Sequence, residues 1–156
     1  LRTLPISEFV LGPGRTALAP GELVTAVILD AVPDHGGSFQ KVGLRRSLVI
    51  SVACVSALVQ LDETGTRFSD IRVALGGVGP VPVRLDDVEA ALTGQPVSAE
   101  AIAAAAAPTA DRVASRSRVA YRRQVTPGLV AAAIEEAAQR APRARPATPN
   151  KEAAHV

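Results

Sequence analysis

The fold can be worked out from one long apolar stretch, Val49-Ile-Ser-Val-Ala-Cys-Val-Ser-Ala-Leu-Val-Gln-Leu61. Both alternating faces of this stretch are apolar, and only Ser51, Ser56 and Gln60 interrupt them. That pattern is typical of a β-strand covered on both sides, because each face then needs apolar side chains. Periodicity alone leaves a buried helix as the alternative.

A second strand is predicted directly after this stretch. Asp62-Glu-Thr-Gly-Thr66 has the composition of a turn. Beyond it, Ile71, Val73 and Leu75 alternate with Arg72 and Ala74, which is the pattern of a half-exposed strand. The two strands are close enough in the sequence to form an antiparallel hairpin.

Two further extended segments precede the apolar stretch. Ser38-Phe-Gln-Lys-Val-Gly43 predicts a short strand in which Phe39 and Lys41 point to one side, because side chains alternate along a strand. Earlier still, Glu22-Leu-Val-Thr-Ala-Val-Ile-Leu29 is rich in β-branched residues, which predicts another strand. Turn-forming residues 12–21 come before it, and Pro33-Asp-His-Gly-Gly37 ends it.

The second half of the chain has the pattern of helices. Asp86 or Asp87 is predicted to cap a short helix, and Gly94 stands where a glycine terminates one. Ser98 is predicted to cap an alanine-rich helix that Pro108 stops.

A last helix is predicted from residue 118 onward. Thr126-Pro127 either kinks it or starts a new helix, and an apolar stripe continues beyond, made of Leu129, Val130, Ala133, Ile134 and Ala137. Strands first and helices after indicate an α+β fold, in which a small antiparallel sheet of about three strands packs against a helical layer.

Composition limits the classes of protein to consider. The chain has 156 residues, of which 47% are hydrophobic and 21% charged, as expected for one soluble globular domain. No apolar run approaches the roughly 20 residues of a membrane span. The start lacks the apolar core of a secretion signal, and the absence of an initial Met suggests a sequence that begins inside a longer chain or was trimmed.

Metal and redox sites within the chain are not expected. The single cysteine, Cys54, rules out both an internal disulfide and a four-cysteine iron–sulfur cluster, and we interpret it as a small core residue. His35 and His155 are far apart in the sequence, so neither a histidine-rich metal site nor a catalytic constellation is predicted. A reducing, cytoplasmic location is the expectation.

The charge is divided unevenly along the chain. Residues 1–111 carry 8 basic and 12 acidic side chains, whereas residues 112–156 carry 9 basic and 3 acidic ones. Basic segments often bind nucleic acid, but here only one Tyr accompanies the arginines and no aromatic stacking platform is present. We therefore expect a solvated or subunit-facing helix surface and no nucleic-acid partner.

Several segments in order resemble the FAD-binding subunit, or medium subunit, of the molybdenum hydroxylases, which include xanthine and carbon monoxide dehydrogenases. The similar segments span residues 9–137, and they are Phe9–Leu23, Ser38–Arg46, Asp70–Arg84, Glu89–Gly94 and Tyr121–Arg123. Ala114 and Ala120 depart from the family, which usually has acidic residues at both positions. The departures concern polar contacts at a subunit surface and leave the resemblance in fold intact.

The resemblance implies a part in electron transfer within a multi-subunit oxidoreductase. In this family a molybdenum-binding large subunit hydroxylates the substrate, a small subunit carries 2Fe-2S clusters, and FAD passes electrons to NAD or another acceptor. The glycine-rich segments that hold the FAD pyrophosphate precede the region matched here, so the isolated chain is expected to be inactive and to lack most of the FAD site.

The resemblance also implies a role for particular residues. Lys41 matches a lysine that approaches the FAD, and Val24 matches an aliphatic residue that packs against it. Arg45 and Arg46 fall in a loop that borders the flavin and its acceptor. Without the resemblance, Lys41 is more simply the exposed end of an edge strand.

The domain organisation follows from the same resemblance. Residues 1–33 are expected to end the FAD-binding region, residues 34–141 to form the flavoprotein C-terminal domain, and residues 142–156 to be a disordered tail. The alternative is a cofactor-free α+β domain that serves as an interaction or scaffold module. Lys41 beside paired arginines and a glycine turn favours the flavin role, since a scaffold does not need them.

Overall fold

A four-stranded antiparallel sheet forms the centre of the molecule. The structure, a computed structural model, describes residues 1–44, 50–114 and 117–142. The sheet has the order β3-β4-β5-β6, in which β3 is Gly36–Gly43, β4 is Ser51–Leu61, β5 is Phe68–Gly76 and β6 is Val83–Arg84. The predicted α+β class and the three antiparallel main strands are confirmed. The two-residue strand β6 is an addition that the sequence pattern did not predict.

Small elements precede the sheet. Helix α1 (Ile6–Phe9) leads into a two-stranded hairpin of β1 (Val10–Gly12) and β2 (Arg15–Thr16). The Arg2 guanidinium pairs with the Glu22 carboxylate, 2.6 Å away, and also donates to the Ala17 carbonyl. Residues 1–22 are thereby held together by polar contacts of their own.

The helices cover one face of the sheet. Helix α4 (Val119–Arg140) packs against β3 and β4, and α2 (Asp86–Leu92) packs against β5. Helix α3 (Ala99–Ala106) and a 3-10 helix (Ala107–Arg112) lie against α4. The core lies between these layers and is almost entirely aliphatic; it includes Val55, Val59, Val73, Leu75, Val130 and Ile134, with Phe68 as its aromatic member. Complete burial of one such side chain contributes about 1.5–3 kcal/mol.

The other face of the sheet is open. On β4 the residues that face the helices are buried, but Cys54 and Leu58 are half-buried and Ser56 is exposed. The prediction that β4 is covered on both sides is therefore wrong for the described part of the chain. The stretch does form a strand, but the helical layer covers only one of its two faces.

The predicted strand over residues 22–29 is also wrong. These residues belong to no helix or strand, and Leu23, Ile28 and Leu29 are 85%, 78% and 84% exposed. A β-branched composition favours an extended backbone, but a strand forms only when a neighbouring strand supplies hydrogen-bond partners. None of the described residues supplies such a partner.

The helix termini agree with the sequence in part. Ser98 accepts a hydrogen bond from the Ala101 amide at 3.2 Å, and Gly94 follows α2 with φ +81°, both as predicted. The expected aspartate cap is wrong, because Leu85 occupies the N-cap position of α2 and makes no side-chain capping bond. Both aspartates instead lie in the first turn, where the helix dipole favours negative charge.

The two helix prolines differ in their outcome. Helix α3 ends at Ala106, just before Pro108, as predicted, and the chain continues as the 3-10 helix over Ala107–Arg112. Pro127 lies inside the continuous helix α4, so the alternative in which it starts a new helix is wrong. Just before it, the buried Thr126 hydroxyl donates to the Arg122 carbonyl at 2.7 Å.

Membrane insertion finds no support in the helices. None of those in the described part of the chain combines the length and the apolar character that crossing a bilayer requires. The predicted disordered tail lies outside the described residues except for Pro142.

Candidate functional site

The open face of the sheet is the candidate functional surface. Strand register places its side chains in rows that run across the strands. One row contains Phe39, Ser56, Ala74 and Arg84, and the next contains Lys41, Cys54 and Gly76. Phe39 and Lys41 therefore lie on the same side of β3, as the sequence alternation predicted.

Lys41 lies at the border of this face, on the outer strand of the sheet. Its side chain is exposed, and it stands directly opposite Cys54 in the β3–β4 ladder. Its neighbour on the same face, Phe39, is 64% exposed, an unusual state for an aromatic ring in a chain with so few of them. A cation and an apolar ring thus stand side by side on the surface.

The centre of the open face is flat. Cys54, Ser56, Ala74 and Gly76 all have small side chains or none. A Cβ atom added to Gly76 would come within 2.9 Å of the Cys54 Sγ, so a larger residue there would displace the Cys54 side chain. A flat, partly apolar surface with an adjacent cation suits contact with a planar group or with another protein layer.

Val24 is not part of this face. It lies in the segment before β3 that has no regular secondary structure, and its residue is 55% exposed. Arg45 and Arg46 lie outside the described residues. Of the residues predicted to surround a flavin, the structure thus places Lys41 on the open face and leaves Val24 apart from it.

A charged cluster lies at the end of the open face that is opposite to Lys41. His35 Nε2 lies 2.8 Å from Asp70 Oδ2, and Asp70 also pairs with Arg72 at 3.0 Å. The hydrogen bond from His35, followed by the charge of Arg72, lowers the pKa of the Asp70 carboxyl. The His35 side chain is 8% exposed, and its buried Nδ1 has no hydrogen-bond partner among the residues that the structure describes.

A second polar cluster fixes β3 from the helix side. The Glu136 carboxylate accepts hydrogen bonds from Ser38, at 2.5 Å, and from Gln40. The bond from Ser38 is the main reason why the pKa of Glu136 is lowered. Arg140, one turn further along α4, pairs with Glu136 and donates to the Gly37 carbonyl. Both clusters position the strand that carries Phe39 and Lys41.

Sequence reasoning missed these positioning contacts. His35 was interpreted only as part of a turn, because nothing in the spacing of His35 and Asp70 indicates that the sheet register brings them together. Among the residues that the structure describes, no group of three or more His, Cys, Asp or Glu side chains could hold a metal ion.

Comparisons with known proteins agree with this architecture. Residues 38–137 match the family described as the CO dehydrogenase flavoprotein C-terminal domain. The FAD-binding subunit of an aldehyde oxidoreductase of Escherichia coli (strain K12) is 36% identical over 118 residues, which cover 70% of this chain and 35% of the relative. The nicotine 6-hydroxylase medium subunit of Paenarthrobacter nicotinovorans is 31% identical over 143 residues, which cover 89% and 49%.

The solved structures show the same fold. A carbon monoxide dehydrogenase from Hydrogenophaga pseudoflava aligns with a TM-score of 0.76 and 26% identity, over 90% of this chain and 50% of the matched chain. The chain thus spans half or less of the length of the relatives it matches. Since the family match covers most of the sheet and the helical layer, the chain belongs to the CO dehydrogenase flavoprotein C-terminal domain family.

Proposed function

We propose that this chain is the C-terminal part of the FAD-binding subunit of a molybdenum hydroxylase of the xanthine or CO dehydrogenase type. In this proposal the complete subunit relays electrons from iron–sulfur clusters through FAD to an acceptor. The observation that supports it most directly is the open sheet face, where an exposed Phe39 and Lys41 border a flat surface. In this proposal the open face packs against the remaining half of the FAD-binding subunit.

We propose that the domain boundaries are those that the resemblance implies. Residues 1–33 belong with the end of the FAD-binding region, residues 34–141 form the C-terminal domain, and residues 142–156 are a tail. The exposed apolar segment at residues 22–29 supports this division, because an extended segment of that composition suits pairing with a strand from an FAD-binding half. β3, which begins at Gly36, then starts the second unit.

The residues of the open face fit one wall of a flavin site. Small side chains at Cys54, Ser56 and Ala74 leave room for a planar ring system. Lys41 supplies a positive charge, which stabilises negative charge nearby through Coulomb attraction. FAD, when bound, accepts and passes on a pair of electrons. We propose Lys41 and Val24 as the contacts of this chain with FAD.

The wider assembly is proposed from the same family relationship. Its partners are a molybdenum-binding large subunit, a small subunit with 2Fe-2S clusters, and NAD or another electron acceptor, all in the cytoplasm. The molybdenum cofactor and the clusters belong to those partners. In this assembly the chain is an oxidoreductase component without a catalytic residue of its own, and alone it is inactive.

A flavin titration tests the proposal. The 156-residue chain alone should bind FAD weakly or not at all, because the segments that hold the pyrophosphate are missing, whereas a protein extended with an FAD-binding half should bind tightly. Micromolar or tighter binding by residues 1–156 alone would contradict the proposed location of the site. No flavin binding even in the extended protein would favour the cofactor-free interaction domain.

A further inference from the structure

Arg122 is a buried cation whose side-chain hydrogen bonds to the described residues all go to backbone carbonyls. It lies in the first turns of α4, and its residue is 9% exposed. Its Nε donates to the Ser117 carbonyl at 2.9 Å, and its Nη1 donates to the carbonyls of Val52 and Gly77. One side chain thereby connects three segments: the start of β4, the turn after β5 and the approach to α4.

The Val52 carbonyl lies at a β-bulge. In the β3–β4 ladder Val42 pairs with Ala53, but the next residue, Gly43, pairs with Ser51, so that Val52 is the extra residue. The residue that a bulge adds is left out of the regular strand pairing, and its backbone groups need other partners. The Arg122 guanidinium provides one.

The Gly77 carbonyl belongs to a turn that packs tightly on the same bulge. Gly77 has φ +78°, and a Cβ atom there would lie 3.3 Å from the carbonyl oxygens of Ser51 and Val52. Turn and bulge are therefore in backbone contact, and the shared guanidinium holds both carbonyls at once. A buried cation is costly unless its donors are satisfied, so this arrangement depends on all three carbonyls.

The bulge lies directly beside the pairing that places Lys41 on the open face. Lys41 pairs with Cys54, two residues beyond Val52 on β4. Because side chains alternate along a strand, a slip of one residue in this register would turn Lys41 toward the other face. We propose that Arg122 is a positioning residue, which fixes the bulge at Val52 and so holds Lys41 on the open face. Its relevance to electron transfer rests on the flavin role of Lys41 proposed above.

The 156-residue chain is well suited to a direct test. It has one cysteine and two lysines, so selective isotope labelling gives an unambiguous cross-strand nuclear Overhauser effect between Lys41 and Cys54. The Cys54 amide reports hydrogen exchange beside the bulge. The Phe68 amide, which donates to Gln95 at 3.1 Å, reports exchange at the far end of the sheet.

Arg122→Met should weaken or abolish the Lys41–Cys54 Overhauser effect. It should also accelerate exchange at Cys54 about tenfold or more relative to Phe68, because the freed carbonyls lose their partners locally. Arg122→Lys keeps the positive charge but lacks the several N–H donors of the guanidinium group. It should therefore restore only part of the Overhauser effect and of the slow exchange at Cys54. Arg123→Met removes the neighbouring exposed arginine and should change neither measurement.

Equal acceleration at Cys54 and Phe68 with an intact Overhauser effect would overturn the inference, since Arg122 would then contribute only to global stability. Full recovery by Arg122→Lys would overturn the role of the three-carbonyl contact. The flavin role is tested apart from this, through the redox potential of a Lys41 variant. A third result is a changed register in Arg122→Met with an unchanged redox potential in the Lys41 variant. That result would support the positioning role of Arg122 and contradict the flavin role of Lys41.

Discussion

The imidazole of His35 reaches across β4 to the carboxylate of Asp70 on β5, with 2.8 Å between Nε2 and Oδ2. This contact connects the end of the irregular segment before β3 with β5, across 35 residues of sequence. Since His35 is nearly buried, it depends on Asp70 for a partner.

Asp70→Asn should lower the free energy of unfolding by about 1 kcal/mol at neutral pH, a modest value because Asp70 is 37% exposed and solvent screens its charge. The pKa of Asp70 is lowered in the folded chain. Its stabilisation is therefore complete above the unfolded pKa of about 3.9 and is lost as the pH falls through the lower folded value.

Urea titrations at neutral and acidic pH measure this difference. The two proteins should become equally stable in acid, and Asp30→Asn, an exposed aspartate in the preceding segment, serves as the control. A stability difference that persists unchanged in acid would show that the Asp70 charge is not its cause.

Lys41→Met should lower the flavin potential in a complete FAD-binding subunit. An ammonium about 4 Å from the reduced ring gains roughly 4 kcal/mol at an effective dielectric constant near 20. Desolvation and screening leave about 1 kcal/mol, which for a two-electron couple corresponds to roughly 20 mV. Hydroxylation at the molybdenum centre, measured with an artificial acceptor, should stay intact.

The matched control is Lys151→Met, which removes the only other lysine of the chain. Spectroelectrochemical titration measures the potential, and flavin content is determined in the same samples. An unchanged potential with unchanged FAD content would return Lys41 to the role of a solvated residue on an edge strand.

Thr126→Val should cost about 1 kcal/mol of stability. The variant keeps the side-chain shape but loses the buried hydroxyl that donates to the Arg122 carbonyl, next to Pro127. Thr93→Val removes a similar bond to the Glu89 carbonyl at an exposed position, and should cost less because water replaces the lost contact. Chemical unfolding of both variants provides the comparison, and equal losses would contradict the importance of burial.

Two glycine substitutions should change stability in opposite directions. A Cβ atom at Gly36 would collide with backbone atoms of Ala137, Arg140 and Ala141, so Gly36→Ala should destabilise the fold by about 3 kcal/mol or more. Gly128 lies inside α4 with open space around it, and Gly128→Ala should stabilise by roughly 0.5–1 kcal/mol. Thermal unfolding distinguishes the two; tolerance of Gly36→Ala would mean that α4 can move away from β3.

The sequence predicted the parts of the fold that have a strong periodic pattern. The long apolar run of β4, the alternation in β5 and the turn between them specified the hairpin. The two-residue strand β6 and the 3-10 helix are too short to produce such a signal. Residues 22–29 show the opposite failure, since their β-favouring composition has no partner strand in the described chain.

The parts of the candidate site that depend on strand alternation could also be predicted from the sequence. The period of two was enough to place Phe39 and Lys41 on one face, and the structure confirms that placement. The contacts of His35 with Asp70, and of Arg122 with Val52, join residues that only the completed sheet brings together. The flavin contacts of Lys41 and Val24 stay predictions.

Polar side chains also bond to backbone groups of two strands of the sheet. In β3 the Gly37 carbonyl accepts a hydrogen bond from Arg140, and in β5 the Val73 amide donates to the Glu89 carboxylate at 2.8 Å. These two backbone groups are thereby less available to a strand added from another chain, and such occupation opposes edge-to-edge polymerisation of sheets. The partly apolar face turned away from the helices can therefore receive a partner as a second layer, at the spacing of about 10 Å that packed sheets adopt.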